Sequence, residues 1–347
     1  MVIYMKEKLI ELNSNNLLFN LDFYKKRTNK QIIAIIKDNA YGHGFEQITS
    51  ILNNTDIKMY AVANIDEALE VSNHATKDIL ILDKVNEFAK VTDQMIVTVI
   101  SKNHLLDLSK AKKDFRIHLK INTGMNRKGI LPEELDSCMQ IINTSSNLKL
   151  EGIYTHYASN KKSNLSKQFE CFKNVVKKIK NRKLLIHASS SVSSLLLKEN
   201  ITNACRIGIG LYGLNHRYEI MKEVKPVLSL YSYVDKCTLI NKKTKVGYDY
   251  MFKTPKNGFL ILSPLGYGLG YLIRQKYQAF YNGEYLKQMC RVCMDCCIYF
   301  SNMPIKEGEK IELLGEHVQV DNIARNNKCS PYEVVTLLNK NIKRIVI

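Results

Sequence analysis

The chain has 347 residues, 45% of them apolar and 24% charged, a balance ordinary for a soluble globular protein and a length sufficient for two cores. No apolar run approaches the roughly 20 residues needed to cross a bilayer, and the charged N-terminus does not read as a signal peptide, so a cytoplasmic protein without a membrane partner is expected. The net charge of +18 raises nucleic acid as a partner, but the basic residues lie in short scattered clusters such as 177–183 and 242–245, without a recognition-helix or zinc-finger pattern, and no nucleic-acid partner is expected.

Residues 8–28 predict a leading helix, with Leu17, Leu18, Leu21 and Tyr24 at helical spacing. Ile32–Ile36 is too short an apolar run for an independent helix and suits a parallel strand buried on both faces. It ends on Lys37, a side chain that is costly to bury without a partner or a task, and then enters a turn containing Gly42 and Gly44. Further strands are predicted at Tyr60–Ala63, Ile79–Leu82, Met95–Ile100, His118–Asn122, Gly152–Tyr157, Leu184–His187 and Ala204–Ile209. Helical patterns separate them, one opening at Asn64, one at Pro132 and a long basic one over 164–182. This alternation predicts an α/β fold, a (β/α)8 TIM-like barrel over 1–225, with the first residues pairing instead with the C-terminal third of the chain.

From Pro226 the pattern changes to short alternating runs at Leu228–Val234, Phe259–Leu262, Arg291–Tyr299, Lys310–Leu313 and Ile342–Ile347. A mainly antiparallel β domain is predicted over 226–347, interrupted by one helix that opens on a capping box at Ser330. Four of the nine cysteines crowd into Cys290, Cys293, Cys296 and Cys297. The spacing invites a metal, yet no second pair completes a site, so these read as packing residues on a strand, with no metal expected.

The polar residues at the ends of the predicted barrel strands converge on one face. They are Lys37, Tyr41, Lys120, Asn122, Arg127, His156, His187, Ser189–Ser191, Arg206 and Gly208. The loop Arg206–Gly213 is glycine-rich and follows the last strand, where barrels commonly hold phosphate on backbone N–H groups. A phosphate site beside a strand-end lysine suggests pyridoxal 5′-phosphate (PLP) held as a Schiff base.

With these residues in place, AIIKDNAYGHG (34–44) resembles the cofactor-lysine motif of the alanine racemases. HLKINTGMNRKG, GIYTHYAS, HASSS, RIGIGLYG, VGYDY, PLGYGLGY and RVCMD resemble later motifs of that family, in the same order and over nearly the whole chain. The resemblance implies a PLP-dependent racemase that interconverts L- and D-alanine for peptidoglycan, built as a head-to-tail homodimer with shared active sites. It implies that Lys37 anchors the cofactor and serves as one base, and that Tyr248 of the other subunit is the opposing base. His156 and Arg206 become the network that assists Tyr248, with Arg206 facing the pyridine nitrogen. Tyr41, Ser191, Gly208 and Ile209 would hold the phosphate, and His187 joins the cofactor-binding set. Arg127 and the Met294 N–H would meet the substrate carboxylate, Tyr267 would narrow the entrance, and Lys120 matches a lysine that is often carbamylated. The chain departs from the family at Leu269, where an acid is usual, and at Val346, aligned with a tail tyrosine that contacts phosphate. Such departures open the way to serine or a longer, lysine-like amino acid. The alternatives are a racemase of that kind, a PLP barrel decarboxylase, or a binding protein without turnover.

Overall fold

Eight parallel strands close into a barrel in the order of the chain, and a separate nine-stranded sheet lies after them. The computed structural model describes residues 8–179, 183–214, 218–272 and 276–347. Strand β1 (Leu9–Leu12) comes first, then the barrel strands β2 (Gln31–Ile35), β3 (Met59–Val62), β4 (Ile79–Ile81), β5 (Met95–Val99), β6 (Phe115–Lys120), β7 (Leu148–Tyr154), β8 (Leu185–His187) and β9 (Ala204–Ile207). The barrel closes through β2 and β9, with Ile33 opposite Arg206.

The leading helix is a correction. Leu9–Leu12 is a strand, and the helix is Ser14–Thr28, started by Asn13, whose side chain accepts from the Asn16 N–H at 2.9 Å. Ile10 and Leu12 alternate into the core, and β1 pairs antiparallel with β10 and parallel with β19 of the second sheet. Residues 1–7, expected beside the same sheet, lie outside the described residues, as do 180–182 at the end of the predicted basic helix, which spans Lys162–Lys178. β7 begins earlier than expected because its first half alternates leucine with charged residues instead of forming an apolar run. Glu151 there pairs with Arg116 of the neighbouring strand β6, so the apolar run alone understates the strand.

Inward and outward positions alternate along the barrel strands. Ile33, Ile35, Met59, Ala61, Leu80, Ile96, Leu185 and Ala204 form one cluster inside the barrel, while Ile32, Ala34 and Ile36 pack outward in the larger core. Several strands carry polar groups in the same interior: Thr98, His118, Lys120, His187 and Arg206, all buried. Gly152 makes room for this, since a Cβ there would lie 2.6 Å from His118 Nε2.

The second sheet contains β10 (Leu228–Tyr233), β11 (Lys236–Ile240), β14 (Gly258–Ser263), β15 (Gln278–Tyr281), β16 (Glu284–Gln288), β17 (Cys297–Ser301), β18 (Lys310–Leu314) and β19 (Lys343–Val346), with β12 (Lys245–Val246) and β13 (Phe252–Lys253) as a separate pair. Apart from β1–β19, the pairings within the large sheet are antiparallel. Three expectations are corrected here. The run Arg291–Tyr299 is strand only from Cys297, and the segment before it is a tight loop closed by the Cys293 N–H on the Cys296 carbonyl at 2.9 Å. A hairpin, β15–β16, turns on Asn282 and Gly283, both with positive φ, which is the conformation a two-residue hairpin turn requires. A second helix, Val320–Asn326, precedes the predicted one at Pro331–Thr336, where Ser330 accepts from the Tyr332 N–H and Glu333 turns to the barrel mouth instead of closing a capping box.

Candidate active site

The chain leaves β2 through an unusual turn. Asp38, Asn39, Ala40 and Tyr41 all have φ between 52° and 54°, a left-handed turn built from non-glycine residues. Each such residue costs roughly 1–2 kcal/mol, so about 4–8 kcal/mol must be offset by surrounding contacts. Inside the turn, Ala40 N–H donates to Ile36 O at 2.7 Å, Gly42 N–H to Asp38 O at 3.0 Å and Gly44 N–H to Asn39 O at 2.9 Å. From outside, Glu67 Oε1 accepts from the Asp38 N–H at 2.7 Å, and Asn39 Oδ1 accepts from the Phe45 N–H at 3.1 Å. Tyr212 donates its hydroxyl to Ile35 O at 3.0 Å. Lys37 heads this turn, with its amine 3.1 Å from Asp38 and facing a cavity of about 880 Å³ at the C-terminal mouth of the barrel.

Lys37, Tyr41, Lys120, Arg127, His156, Ser191, Arg206, Gly208 and Ile209 all line this cavity. Its charge is strongly positive, since Lys128 and Asp83 are already paired and the other carboxylates are Asp38 and Glu333.

Arg206 is buried on β9 and commits both terminal nitrogens inward. Nη1 donates to His187 Nδ1 at 2.8 Å, and Nη2 meets Thr155 O and Ala188 O at 2.8 Å and His156 Nδ1 at 3.1 Å. Arginine keeps its proton, so both histidine Nδ1 atoms are acceptors and both rings carry hydrogen on Nε2. His187 Nε2–H then donates to His118 Nδ1 at 3.0 Å. Burial, followed by the Arg206 charge and those of Arg127, Lys120 and Lys37, holds His156 down to about 3, a neutral ring at working pH. Tyr154 stacks on His187 with ring centroids 4.6 Å apart. His187 does not line the cavity within this chain; it meets Arg206 Nη1 and holds that guanidinium.

Just beyond Arg206, Ser191 Oγ accepts from Gly208 N–H at 3.1 Å and Gly210 N–H at 3.2 Å, which folds the glycine loop around the hydroxyl and leaves its own hydrogen to donate. Gly208 is required here, because a Cβ would stand 2.7 Å from the Tyr41 hydroxyl. The cradle therefore has hydroxyl donors, a backbone without side chain and a cationic surround, and these fit a phosphate. Lys37, which lines the same cavity, fits the aldehyde end, and Arg206 fits the ring nitrogen. The residues present fit PLP.

Two lining residues, Tyr332 and Glu333, were missed by the sequence reading. The Tyr332 ring lies 5.6 Å from that of Tyr41, and burial pushes its phenol up to about 12. The tail residue Val346 is exposed, pairs with Leu12 and does not line the cavity, so the aromatic wall comes from the helix after Ser330 rather than from the tail. Leu269 also lies outside the lining.

Asn122 and Ser189, expected on the same face, do not line the cavity, and three further predicted residues do not reach it within one chain. Tyr248, Met294 and Tyr267 are 74%, 57% and 38% exposed and belong to the second sheet's loops. They are neighbours of one another: Tyr267 N–H donates to Cys293 O at 3.0 Å, Gly268 N–H to Met294 O at 2.9 Å, and Gly247 abuts Cys290. Cys290 and Cys297 are buried beneath this surface.

A lysine at the end of a barrel strand, an arginine held as a hydrogen-bond donor and a phosphate cradle on the last loops define a PLP enzyme of the barrel class. Residues 12–216 match the model of the alanine racemase N-terminal domain, and residues 227–346 match that of the alanine racemase C-terminal domain. The chain belongs to the alanine racemase family, and it is a PLP-dependent racemase. It is 32% identical to an alanine racemase of Listeria monocytogenes over 91% of this chain and 90% of that one. The solved structure of alanine racemase from E. faecalis superposes with a TM-score of 0.92 at 24% identity, covering 100% of both chains. A histidine racemase from Leuconostoc mesenteroides superposes with a TM-score of 0.91 at 22% identity, covering 99% of each chain.

Proposed function

We propose that this racemase interconverts L- and D-alanine with Lys37 as one base and Tyr248 of a second copy as the other, in the cytoplasm, to supply D-alanine for peptidoglycan. The observation that supports the reading is the division of groups: Lys37, Tyr41, Ser191 and Arg206 of one chain line one cavity, and Tyr248 stands exposed elsewhere on it. Inverting a centre requires removal of the α-proton on one face and its return on the other, so two bases on opposite sides are needed. PLP bound at Lys37 supplies the electron sink that acidifies the substrate Cα–H. The chain's own groups do the rest. Lys37 Nζ takes or gives the proton on its side. Arg127 and the Met294 N–H of the second copy hold the carboxylate, and Tyr267 of that copy narrows the entrance. His156, kept neutral, orients the Tyr248 hydroxyl. Arg206 stays a donor, so it never asks the ring nitrogen to keep a proton, which tempers the sink. A carbamate on Lys120 would add the anion this cationic cluster lacks and orient Arg127.

Alanine is favoured over a longer substrate because relatives matched over most of the chain are named alanine racemases, and Val346, one of the two departures that suggested more room, lies outside the cavity lining. Histidine belongs in the test because a structural neighbour bears that name. Lys37→Ala and Tyr248→Phe chains should each be inactive. Mixed and allowed to exchange, they should recover about a quarter of wild-type activity, since half the dimers then carry one intact site. Absence of recovery in verified mixed dimers overturns the shared site. Solvent-deuterium exchange at Cα, run on both enantiomers of alanine, serine, lysine and histidine, should be fastest on alanine; a faster partner would replace it as substrate.

A further inference from the structure

Arg344 on β19 lies near the end of the chain, far in sequence from the cavity. Its guanidinium makes six hydrogen bonds to five backbone carbonyls. Nη1 donates to Asn339 O at 3.3 Å, Lys340 O at 3.0 Å and Ile342 O at 2.7 Å, and Nη2 to Leu338 O at 3.4 Å and Asn339 O at 3.2 Å. The remaining donor, Nε, reaches the Gly42 carbonyl at 3.0 Å, 302 residues away in sequence. Gly42 ends the left-handed turn that Lys37 begins.

The contact is close on every side. A Cβ on Gly42 would stand 2.0 Å from Val335 O, and one on Gly44 would stand 2.8 Å from Arg344 Cδ. Val335 belongs to the helix Pro331–Thr336, which carries Tyr332 and Glu333 to the cavity. One guanidinium therefore gathers the carbonyls just past this helix and binds them to the far end of the lysine's turn. Lysine could not replace it, because a single ammonium cannot face the tail carbonyls and Gly42 O together. The turn needs such a tie, since four consecutive residues in the left-handed region hold only where neighbours over-determine them.

We propose that Arg344 is a positioning residue, which locks the left-handed turn of Lys37 to the C-terminal helix of Tyr332 and so fixes the cofactor lysine against the wall of its cradle. The inference rests on the reading of Lys37 as cofactor anchor.

Arg344→Met and Arg344→Lys are compared with wild-type holoenzyme by PLP release on dilution, by hydrogen exchange of the amides over 38–44, and by kcat and KM separately. Arg344→Met should release PLP about tenfold faster and exchange faster over the turn, with the barrel strands unchanged, and Arg344→Lys should lie between. Arg116→Met is the control for a merely structural loss. Arg116 binds Asp78 and Glu151 elsewhere on the barrel, and its loss should lower the melting temperature without changing PLP release. Wild-type release and exchange in Arg344→Met, or effects no larger than in Arg116→Met, overturn the proposal. Should Arg344→Met fail to fold, Arg344→Lys decides by the same two readouts. Borohydride treatment of wild type tests the underlying reading separately: if PLP is not fixed on Lys37, that reading fails and takes this one with it.

Discussion

Lys120 offers a test whose sign is set by geometry. It ends β6 with 8% of its surface exposed. Burial, and after it the charges of Arg206, Arg127 and Lys128, push its ammonium from 10.5 down to about 8. Asp83 acts the other way but is engaged by Lys128. The folded chain thus binds fewer protons at this site than the unfolded chain between about pH 8 and 10.5. Stability rises with pH wherever the unfolded state binds more protons, so the burden is full below pH 8 and relieved toward pH 10.5. At 1.36 kcal/mol per pKa unit the burden is about 3 kcal/mol. The opposing attraction is the Tyr154 ring, 5.7 Å from Nζ. A cation over such a ring is worth about 0.5–1 kcal/mol, so the burden wins.

Lys120→Met should therefore be more stable than unmodified wild type at pH 7, by about 2–3 kcal/mol, with the gap closing toward pH 10. Urea midpoints at the two pH values, in carbonate-free buffer, measure it. A carbamate would turn the burden into an attraction by placing an anion beside Arg127. Bicarbonate should then raise the wild-type midpoint, leave Lys120→Met unchanged, and add the mass of one carbon dioxide under gentle ionisation. A Met variant that is less stable than wild type at pH 7, together with no bicarbonate response, refutes the reasoning. The ammonium would then be held by an attraction larger than the charges around it allow.

Two other substitutions probe the cradle and the ring-facing group. Gly208→Ala should weaken PLP retention by about tenfold, because the new Cβ would meet the Tyr41 hydroxyl at 2.7 Å and displace it from the phosphate; PLP release on dilution reads this, and unchanged release removes Gly208 and Tyr41 from the cradle. Arg206→Glu should raise the fraction of turnovers ending in keto acid rather than in the mirror-image amino acid, since an acid lets the ring nitrogen keep a proton and deepens the sink; unchanged partitioning counts against the role given to Arg206.

The barrel was legible because buried parallel strands write themselves as short apolar runs, and Ile32–Ile36 is nearly the observed β2. The strand-end rule then placed Lys37, Lys120, His156 and Arg206 around one cavity. What escaped had physical causes. The left-handed turn is invisible in sequence, since Asp38, Asn39 and Ala40 prefer other conformations locally and hold this one through Glu67 and the bonds of the turn. Tyr332 lies in a legible helix start, a signal that says nothing of where the helix docks. The β15–β16 hairpin does carry a local signal, Asn282-Gly283 between two short alternating segments. The tail misled because motif order was matched without its fold: β19 runs beside β1, which keeps Val346 at the sheet rather than at the cavity.

The proposed pairing of chains also accounts for a surface that one chain leaves unexplained. Tyr248, Tyr250, Met251 and Met294 are each more than half exposed. Single exposed apolar residues need no explanation, but several on adjoining loops mark a surface that something covers. On the proposed pairing the covering partner is the barrel mouth of the second copy. That mouth is cationic, carries the half-buried rings of Tyr41 and Tyr332, and leaves Lys37 without an opposing base within one chain. The groups proposed to hold PLP come from the barrel loops of one chain. Holding PLP is then a property of one chain, and inverting a stereocentre is a property of two. On this proposal the fold would separate the two tasks, with the anchor at the end of a barrel strand and the second base on a loop that association would bring into position.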